Sequence, residues 1–332
     1  MLLPNLDLFA TAPYGVAKLR ELILTLAVQG KLVPQDASDE PASELLKKIR
    51  AEKDRLIAEG KIKRDKPPAE IAEEEKPFEL PQRWEWSSLA TVGVINPRNE
   101  VGDNTAASFV QMSSVPIAFS DSHVSEERPW RDIKSGFTHF AEGDVGVAKI
   151  TPCFENGKST VFQNLSNGVG AGTTELHIVR PLCGLVPRYV LLFLKTPAFL
   201  IGGESGMTGS AGQKRLSRTF FENTPFPLPP LAEQSRIVTR VEALMRLCDA
   251  LEAKGHLEAT QHAQLVATLL APSPPAPRPK NWRRTGSASP PTLTCCSTAP
   301  KPWTRWRKPS CNSPCADSSS RKTPPTNPPA SY

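Results

Sequence analysis

The chain has 332 residues with 40 Lys or Arg and 34 Asp or Glu, which gives a formal net charge of +6. The basic excess comes from residues 271–332, which hold ten Lys or Arg and one acid, whereas residues 1–270 hold 30 basic and 33 acidic side chains. The overall charge is therefore not a sign of nucleic-acid binding by residues 1–270. No apolar run approaches the roughly 18 residues of a membrane span, and the three scattered cysteines of residues 1–270 favour free thiols in the cytoplasm over a disulfide framework.

Two amphipathic helices are predicted near the N-terminal end. Apolar residues recur at three- and four-residue spacing in residues 15–31, GVAKLRELILTLAVQGK, and Gly30 is a suitable stop. A second such pattern runs from Ser43 to about Gly60. The first 15 residues lack the basic region of a signal peptide. Charge blocks and prolines in residues 61–84 predict a solvated linker.

The middle of the chain, from Trp84 to about Pro230, has a different texture. Short β-prone runs such as SFVQMSSV, DVGVAKIT, STVFQNL and ELHIVRPL alternate with Gly, Asn and Pro turns. One helix is predicted within residues 187–200, PRYVLLFLKTPAFL. These patterns predict an α+β fold.

A long helix is predicted after PFPLPPL, with Pro229 and Pro230 at its entry and Glu233 and Gln234 in its first turn. Apolar residues step along it by four and three, which is typical of a coiled-coil seam: Ile237, Val241, Leu244, Cys248 and Leu251. Such a seam could hold a partner or a second copy of the chain. An ordinary amphipathic helix packed on its own domain would show the same spacing.

No catalytic or metal site is predicted. The histidines lack metal-ligand spacing: His123, His139, His177, His256 and His262. Residues 155–159, ENGKS, lack the first glycine of a phosphate-binding loop and predict a turn at Asn156 and Gly157. The tail residues Asn327, Pro328 and Pro329 form part of a base-gripping methyltransferase motif, but the aromatic residue is missing. The four tail cysteines lack paired zinc-site spacing.

The best candidate for contact with DNA is residues 202–218, GGESGMTGSAGQKRLSR. Its glycines expose backbone N–H groups, and five side chains offer donors for phosphates or base edges: Ser210, Gln213, Lys214, Arg215 and Arg218. Lys149 and Lys158 are weaker candidates. The alternative is a loop that only closes the domain. Residues 80–229 contain 13 basic and 13 acidic side chains, so a DNA-binding face requires the fold to sort these charges.

Five stretches, in order along the chain, together resemble the specificity subunits of type I restriction-modification systems. They are residues 19–53, 80–89, 143–159 (GDVGVAKITPCFENGKS), 207–216 (MTGSAGQKRL) and 225–252 (PFPLPPLAEQSRIVTRVEALMRLCDALE). The resemblance implies a non-catalytic protein whose target-recognition domain holds part of a double-stranded DNA site. It implies that the protein works with partner subunits and not at a membrane. The implied partners are methyltransferase (modification) subunits and a restriction subunit that acts as translocase and endonuclease. S-adenosylmethionine, ATP and Mg would be bound by those partners, with no cofactor on this chain.

Four segments are predicted on this basis. Residues 1–79 are an N-terminal helical segment and linker, 80–229 a target-recognition domain, 230–270 a long coiled-coil helix and 271–332 a disordered tail. Family members usually carry two recognition domains and two such helices, whereas this chain carries one of each. Pairing of two chains through the seam, as a homodimer, would restore a two-part arrangement. An inactive scaffold that binds partner subunits without reading DNA is the alternative function.

The tail can be interpreted through its codons. From Pro309 onward, permissible codons read one frame over encode ILQLAVRGLLVPQDPTDEPASEL, which matches residues 23–45, ILTLAVQGKLVPQDASDEPASEL, at 18 of 23 positions. The choice of third bases assists this match, but the middle base of each shifted codon is set by the tail residue. The tail is therefore interpreted as a frame-shifted reading of the second half of a two-domain protein.

Overall fold

A computed structural model describes residues 12, 14–62, 71–210 and 212–270. The predictions for the tail, and part of the predicted linker, lie outside these residues. The described α-helices are α1 Gly15–Val28, α2 Ala42–Ala58, α3 Leu89–Val92, α4 Trp130–Ile133, α5 Pro187–Leu194, α6 Pro197–Ser205, α7 Arg218–Asn223 and α8 Leu231–Leu270. The strands are β1 Glu85–Ser88, β2 Gly93–Ile95, β3 Ala106–Val110, β4 Glu126–Pro129, β5 Thr138–Ala141, β6 Val145–Ala148, β7 Ser159–Val161, β8 Val169–Gly172, β9 Leu176–Pro181 and β10 Pro225–Leu228.

Helices α1 and α2 confirm the two amphipathic patterns. Leu19 and Ile23 of α1 and Leu45 of α2 are buried in one hydrophobic core. After α1 the chain turns at Gly30, whose φ of +68° is readily adopted by glycine. A side chain at Gly30 would also overlap the ring of Pro81, so the helix ends where the linker crosses it.

Three sheets form the middle of the chain. The first strand, β1, pairs with the last, β10, with Trp86 opposite Pro227, so the two ends of this region lie side by side. The second sheet has the antiparallel order β2-β9-β6-β7. The third has the order β4-β3-β8-β5, in which β3 and β8 are parallel. Helices and sheets together give the predicted α+β fold.

The helix predicted within residues 187–200 is interrupted. Helix α5 ends at Leu194, and α6 begins at Pro197. Proline disfavours helical backbone at the residue before it and lacks an N–H, so Thr196 is extended (φ −68°, ψ 144°) and Pro197 takes the first position of α6. The hydroxyl of Thr196 accepts a hydrogen bond from the N–H of Phe199 at 3.4 Å, which caps the new helix.

The first turn of α8 is fixed by buried polar contacts. The indole N–H of Trp84 donates to Oε2 of Glu233 at 3.0 Å. The side-chain oxygen of Gln234 accepts the N–H of Val186 at 3.0 Å, and its amide nitrogen donates to the carbonyl of Pro229 at 2.9 Å. Burial raises the pKa of Glu233. The predicted helix start is confirmed, and its two polar residues lock α8 onto the sheet region.

One hydrophobic core joins the N-terminal helices, the sheet region and α8. It includes Ile23 of α1, Leu45 of α2, Tyr189 of α5, Phe226 of β10 and Val241 of α8. The predicted boundaries at residues 79 and 229 therefore mark changes in the sequence pattern. The hydrophobic core continues across both of them. Among the described residues, no helix is long and apolar enough to cross a membrane.

Candidate nucleic-acid interface

Residues 207–218, here called the 207–218 loop, form a small hairpin on the end of β6. Thr208 and Arg215 exchange backbone hydrogen bonds of 3.1 and 2.8 Å. The N–H of Leu216 donates to the carbonyl of Lys149 at 2.7 Å, and the N–H of Thr151 donates to the carbonyl of Lys214 at 3.0 Å. The base of the loop is thus held to the chain segment that follows β6.

The tip of the loop has the backbone freedom expected from its glycines. Gly209 has φ +132° and Gly212 has φ +79°, which side chains rarely permit. At Gly209 a Cβ would lie 2.8 Å from the carbonyl oxygen of Gln213. Glycine is therefore required at this position for the hairpin to close.

The structure brings five of the predicted contact residues to one exposed region. Their side chains face solvent on the 207–218 loop and the first residue of α7: Ser210, Gln213, Lys214, Arg215 and Arg218. Lys149 is half-buried at the base of the loop, where its backbone bonds Leu216. Lys149 therefore contributes a backbone carbonyl to the base of the loop, and the exposed donors come from residues 210–218.

Lys158 does not join this group through its ammonium nitrogen, which donates to the carbonyl of Met112 at 2.8 Å. It follows a turn at Gly157, whose φ of +68° and N–H bond to Phe154 confirm the turn predicted in ENGKS. Lys158 thus supports the loop that contains Met112 in this structure.

Two residues that the sequence did not single out shape the interface. Glu175 accepts from Nε and Nη2 of Arg215, each at 2.9 Å. His177 contacts the carbonyl of Leu216 through Nε2 at 3.1 Å and stacks on Phe221, with ring centroids 5.1 Å apart. Burial lowers the pKa of His177 to about 4, so the ring is neutral at pH 7. Both lie about 40 residues from their partners, and charge or spacing in the sequence gave no signal for them.

Arg218 also has a carboxylate partner, Glu222, at 2.6 Å from its Nε. This pair lies one turn apart on α7, and both ends of it are solvent-accessible. Such pairs contribute little to stability, so Arg218 can exchange this partner for a phosphate at small cost. Among the described residues, no group of three or more His, Cys, Asp or Glu is placed to hold a metal ion.

The seam of α8 is occupied by the chain itself over most of its length. Ile237, Val241 and Cys248 are at most 1% exposed and belong to the core that contains α1 and α5. Leu244 and Leu251 are partly buried against the same core. The alternative of an amphipathic helix packed on its own domain therefore describes this part of α8, and the seam is not a free surface for assembly.

Charged residues reinforce this contact between α1 and α8. Arg20 of α1 donates to Asp249 and to Glu252 of α8, each at 2.7 Å. Beyond Glu252 the described side chains of α8 are nearly all exposed, including Leu257 and Leu265 at 58% each. The distal part of α8, defined here as residues 253–268, therefore projects past α1.

The chain is similar in sequence to known proteins. Residues 183–261, from the end of β9 into α8, match the type I restriction modification DNA specificity domain. The chain is 57% identical over 259 residues to the type I restriction enzyme EcoAI specificity subunit of Escherichia coli, and the match covers 77% of this chain and 44% of that protein. It is 56% identical over 260 residues to the EcoEI specificity subunit of Escherichia coli, covering 78% and 44%.

A solved structure of the HsdS subunit from Thermoanaerobacter tengcongensis matches with a TM-score of 0.40 and 18% identity, over 76% of this chain and 55% of that one. The matched domain places this chain among proteins that carry the type I DNA specificity domain. The chain belongs to the family of type I restriction-modification specificity subunits. It spans less than half the length of the two Escherichia coli relatives.

Proposed function

We propose that this chain is a non-catalytic DNA-recognition subunit and that residues 80–229 read one part of a double-stranded DNA site. The observation that carries the proposal is the exposed set of donors on the 207–218 loop, which lies within the matched specificity domain. Arg and Lys side chains supply both phosphate contacts and base-edge contacts. Three cations lie on this surface, Lys214, Arg215 and Arg218, and the two arginines are paired with Glu175 and Glu222.

Partners complete the activity in this proposal. The helices α1, α2 and α8 flank the recognition region and bind methyltransferase subunits, and a restriction subunit cleaves DNA. S-adenosylmethionine, ATP and Mg are bound by those partners in the cytoplasm. The purified chain alone is expected to transfer no methyl group from S-adenosylmethionine to DNA, and to cut none, at rates above contaminant controls.

The proposal also includes a homodimer, but one that pairs through a different surface from the predicted seam of α8. The seam predicted for self-assembly is covered by α1, so a second copy requires another surface. The distal part of α8 supports this role because Leu257, Leu265 and Val266 are exposed there. Exposed apolar side chains of this kind can contribute to contact with a partner.

An inactive scaffold is the second candidate. The pairing of Arg215 with Glu175 and of Arg218 with Glu222 favours it, because both ion pairs reduce the positive field of the loop. A scaffold would bind methyltransferase subunits and leave DNA unbound.

A DNA pulldown with and without the methyltransferase subunit separates the two functions. A recognition subunit retains DNA with a sequence preference once the methyltransferase is present, and Lys214→Ala weakens retention. A scaffold retains the methyltransferase alone, and binding that stays at the level of the isolated methyltransferase would contradict the proposed function.

A further inference from the structure

Arg215 is held in one orientation by contacts to its backbone and its side chain. Its backbone lies between Thr208 and Ile150 in a pair of antiparallel bridges. Its guanidinium uses the edge formed by Nε and Nη2 to donate two parallel hydrogen bonds to the carboxylate of Glu175, each 2.9 Å long. A bidentate pair of this kind fixes the plane of the guanidinium as well as its position.

The other edge of the same guanidinium is available. In the described part of the chain no hydrogen-bond partner is found for Nη1 of Arg215, and 45% of the side chain is exposed. The end formed by Nη1 and the second hydrogen of Nη2 can therefore donate two parallel hydrogen bonds outward. That pattern matches O6 and N7 of guanine in the major groove.

We propose that Arg215 reads a guanine base and that Glu175 is a positioning residue that holds Arg215 for this contact. The inference rests on the proposed function and deepens it. It assigns one G·C pair of the target to one side chain and gives Glu175 a role in specificity.

A base edge is a better partner than a phosphate for this arginine. The charge of Arg215 is already balanced by Glu175, and the carboxylate would be repelled by a phosphate brought to the same place. A guanine edge is neutral and presents two acceptors at the spacing of the fork. Pairing with Glu175 thus reduces the attraction to any phosphate while leaving the geometry for a base intact.

The neighbouring donors of the loop differ from Arg215 because their side chains are not held by hydrogen bonds within the described part of the chain. Gln213 and Lys214 precede Arg215 on the same loop, and neither has a side-chain hydrogen-bond partner among the described residues. They are suited to adapt to the DNA backbone, since their side chains are not held in one orientation. Arg215 is the donor of the loop whose orientation is set before DNA binds, which is the property that discrimination between bases requires.

The test uses the full chain in complex with its methyltransferase subunit. The recognised motif is mapped from modified adenines in a methylation-free host, and binding is measured by competition against targets altered at each position in turn. Arg215→Ala and Arg215→Lys are expected to lose discrimination roughly tenfold or more at one G·C pair and little at other positions. Glu175→Gln and Glu175→Ala are expected to lose part of the same discrimination, with affinity for unrelated DNA unchanged or raised.

Two comparisons separate positioning from a structural role. The effect of Glu175→Gln should vanish in the Arg215→Ala background, because it acts through that side chain. Glu222→Gln, which removes the carboxylate partner of Arg218 on the same surface, is the matched control and should leave discrimination at that G·C pair unchanged.

The outcomes that overturn the inference are distinct. A uniform loss of affinity across all sequences with a salt dependence reduced by about one unit would make Arg215 a phosphate contact. Equal loss at every position with a lowered melting temperature would make Glu175 structural. A wild-type complex that shows no sequence preference overturns the proposed function together with this inference, whereas a wild-type motif that survives Arg215→Ala overturns this inference alone.

Discussion

Lys195 lies at the C-terminal end of α5 with its ammonium group between two loops. It donates to the carbonyl of Ile117 at 2.7 Å and to that of Gly157 at 2.9 Å, and only 7% of the residue is exposed. Burial lowers its pKa from 10.5 to about 7. A single buried cation therefore joins two loops and titrates close to neutral pH.

This titration predicts a rise of stability with pH. Because the pKa of Lys195 is lower in the folded chain, the unfolded chain holds more protons above about pH 7, and the free energy of unfolding increases as pH rises through that value, by at most about 1.4 kcal/mol per pH unit. Urea unfolding of the wild type and of Lys195→Met between about pH 7 and pH 8.5 measures this. The raised pKa values of the thiols Cys183 and Cys248 affect both proteins alike and cancel in the difference.

The variant is expected to be less stable at every pH, since two carbonyls lose their donor. The diagnostic quantity is therefore the slope. Parallel curves for the two proteins would contradict the assignment of the titration to Lys195.

Residues of the interface were predictable only in part. Gln213, Lys214 and Arg215 stand out because polar donors in a glycine-rich stretch are visible in the sequence. Glu175 is one of several scattered acids, and its pairing with Arg215 depends on how β9 meets the 207–218 loop. Contacts between residues 40 positions apart follow from sheet geometry, which local patterns do not contain.

At the scale of elements, the contact between α1 and α8 fixes the helical end of the molecule. The apolar stripe of α8 meets the apolar face of α1, and Arg20 adds two ion pairs at the edge. Exposed ion pairs contribute roughly 0.2–1 kcal/mol each. Most of the stability of this contact therefore comes from buried apolar area.

Val241→Asp is expected to disrupt this contact. Val241 is fully buried, so an aspartate there places an unpaired carboxylate in the core and costs several kcal/mol. Thermal unfolding followed by circular dichroism should show a lower melting temperature, by about 2–4 °C for each kcal/mol of stability lost in a domain of this size.

Leu247→Asp is the matched control on the same helix. Leu247 is 58% exposed, so the same kind of change is expected to alter stability by no more than about 0.5 kcal/mol. Equal destabilisation by the two variants would show that the helix contact described here is not what holds α8 in solution.

The periodicity of apolar residues predicted where the helices lie, but it did not predict which elements pack against them. The three-and-four spacing located α1, α2 and α8, because one face of each is buried whatever covers it. The same spacing could not say that the core of the chain itself, which includes α1 and α5, buries Val241, since packing against a partner chain would need an identical stripe. The break at Pro197 was readable from proline chemistry, yet the apolar run on both sides of it favoured a single helix. The parallel pairing of β3 with β8 joins segments about 60 residues apart, and the sequence pattern of neither strand indicates it.

At the scale of the whole molecule, the composition of residues 271–332 predicts that they add nothing to the stability of the rest. They hold 15 of the 34 prolines, and their predicted origin as a frame-shifted reading implies no selection for packing. A chain ended after Ala271 is expected to have the melting temperature of the full chain and to bind its methyltransferase subunit equally well. A lowered melting temperature would contradict the frame-shift interpretation.

The exposed distal part of α8 bears on how the chain assembles. The chain covers 44% of each of the two Escherichia coli relatives, and its residues 183–261 match the specificity domain. The distal part of α8 leaves Leu257 and Leu265 exposed where α1 no longer covers the helix. Two copies that pair through these exposed leucines would bury each of them in both chains and close the assembly by two-fold symmetry.

A symmetric pair predicts a symmetric DNA site. Each copy would present the same 207–218 loop, so the modified motif in a methylation-free host that also expresses the methyltransferase subunit should be an inverted repeat. The double variant Leu257→Lys and Leu265→Lys should abolish the dimer in light scattering and reduce modification at least tenfold. Its melting temperature should match the wild type, because both side chains are exposed in the single chain. A non-palindromic two-part motif, or full modification by the double variant as a monomer, would refute pairing through the distal part of α8.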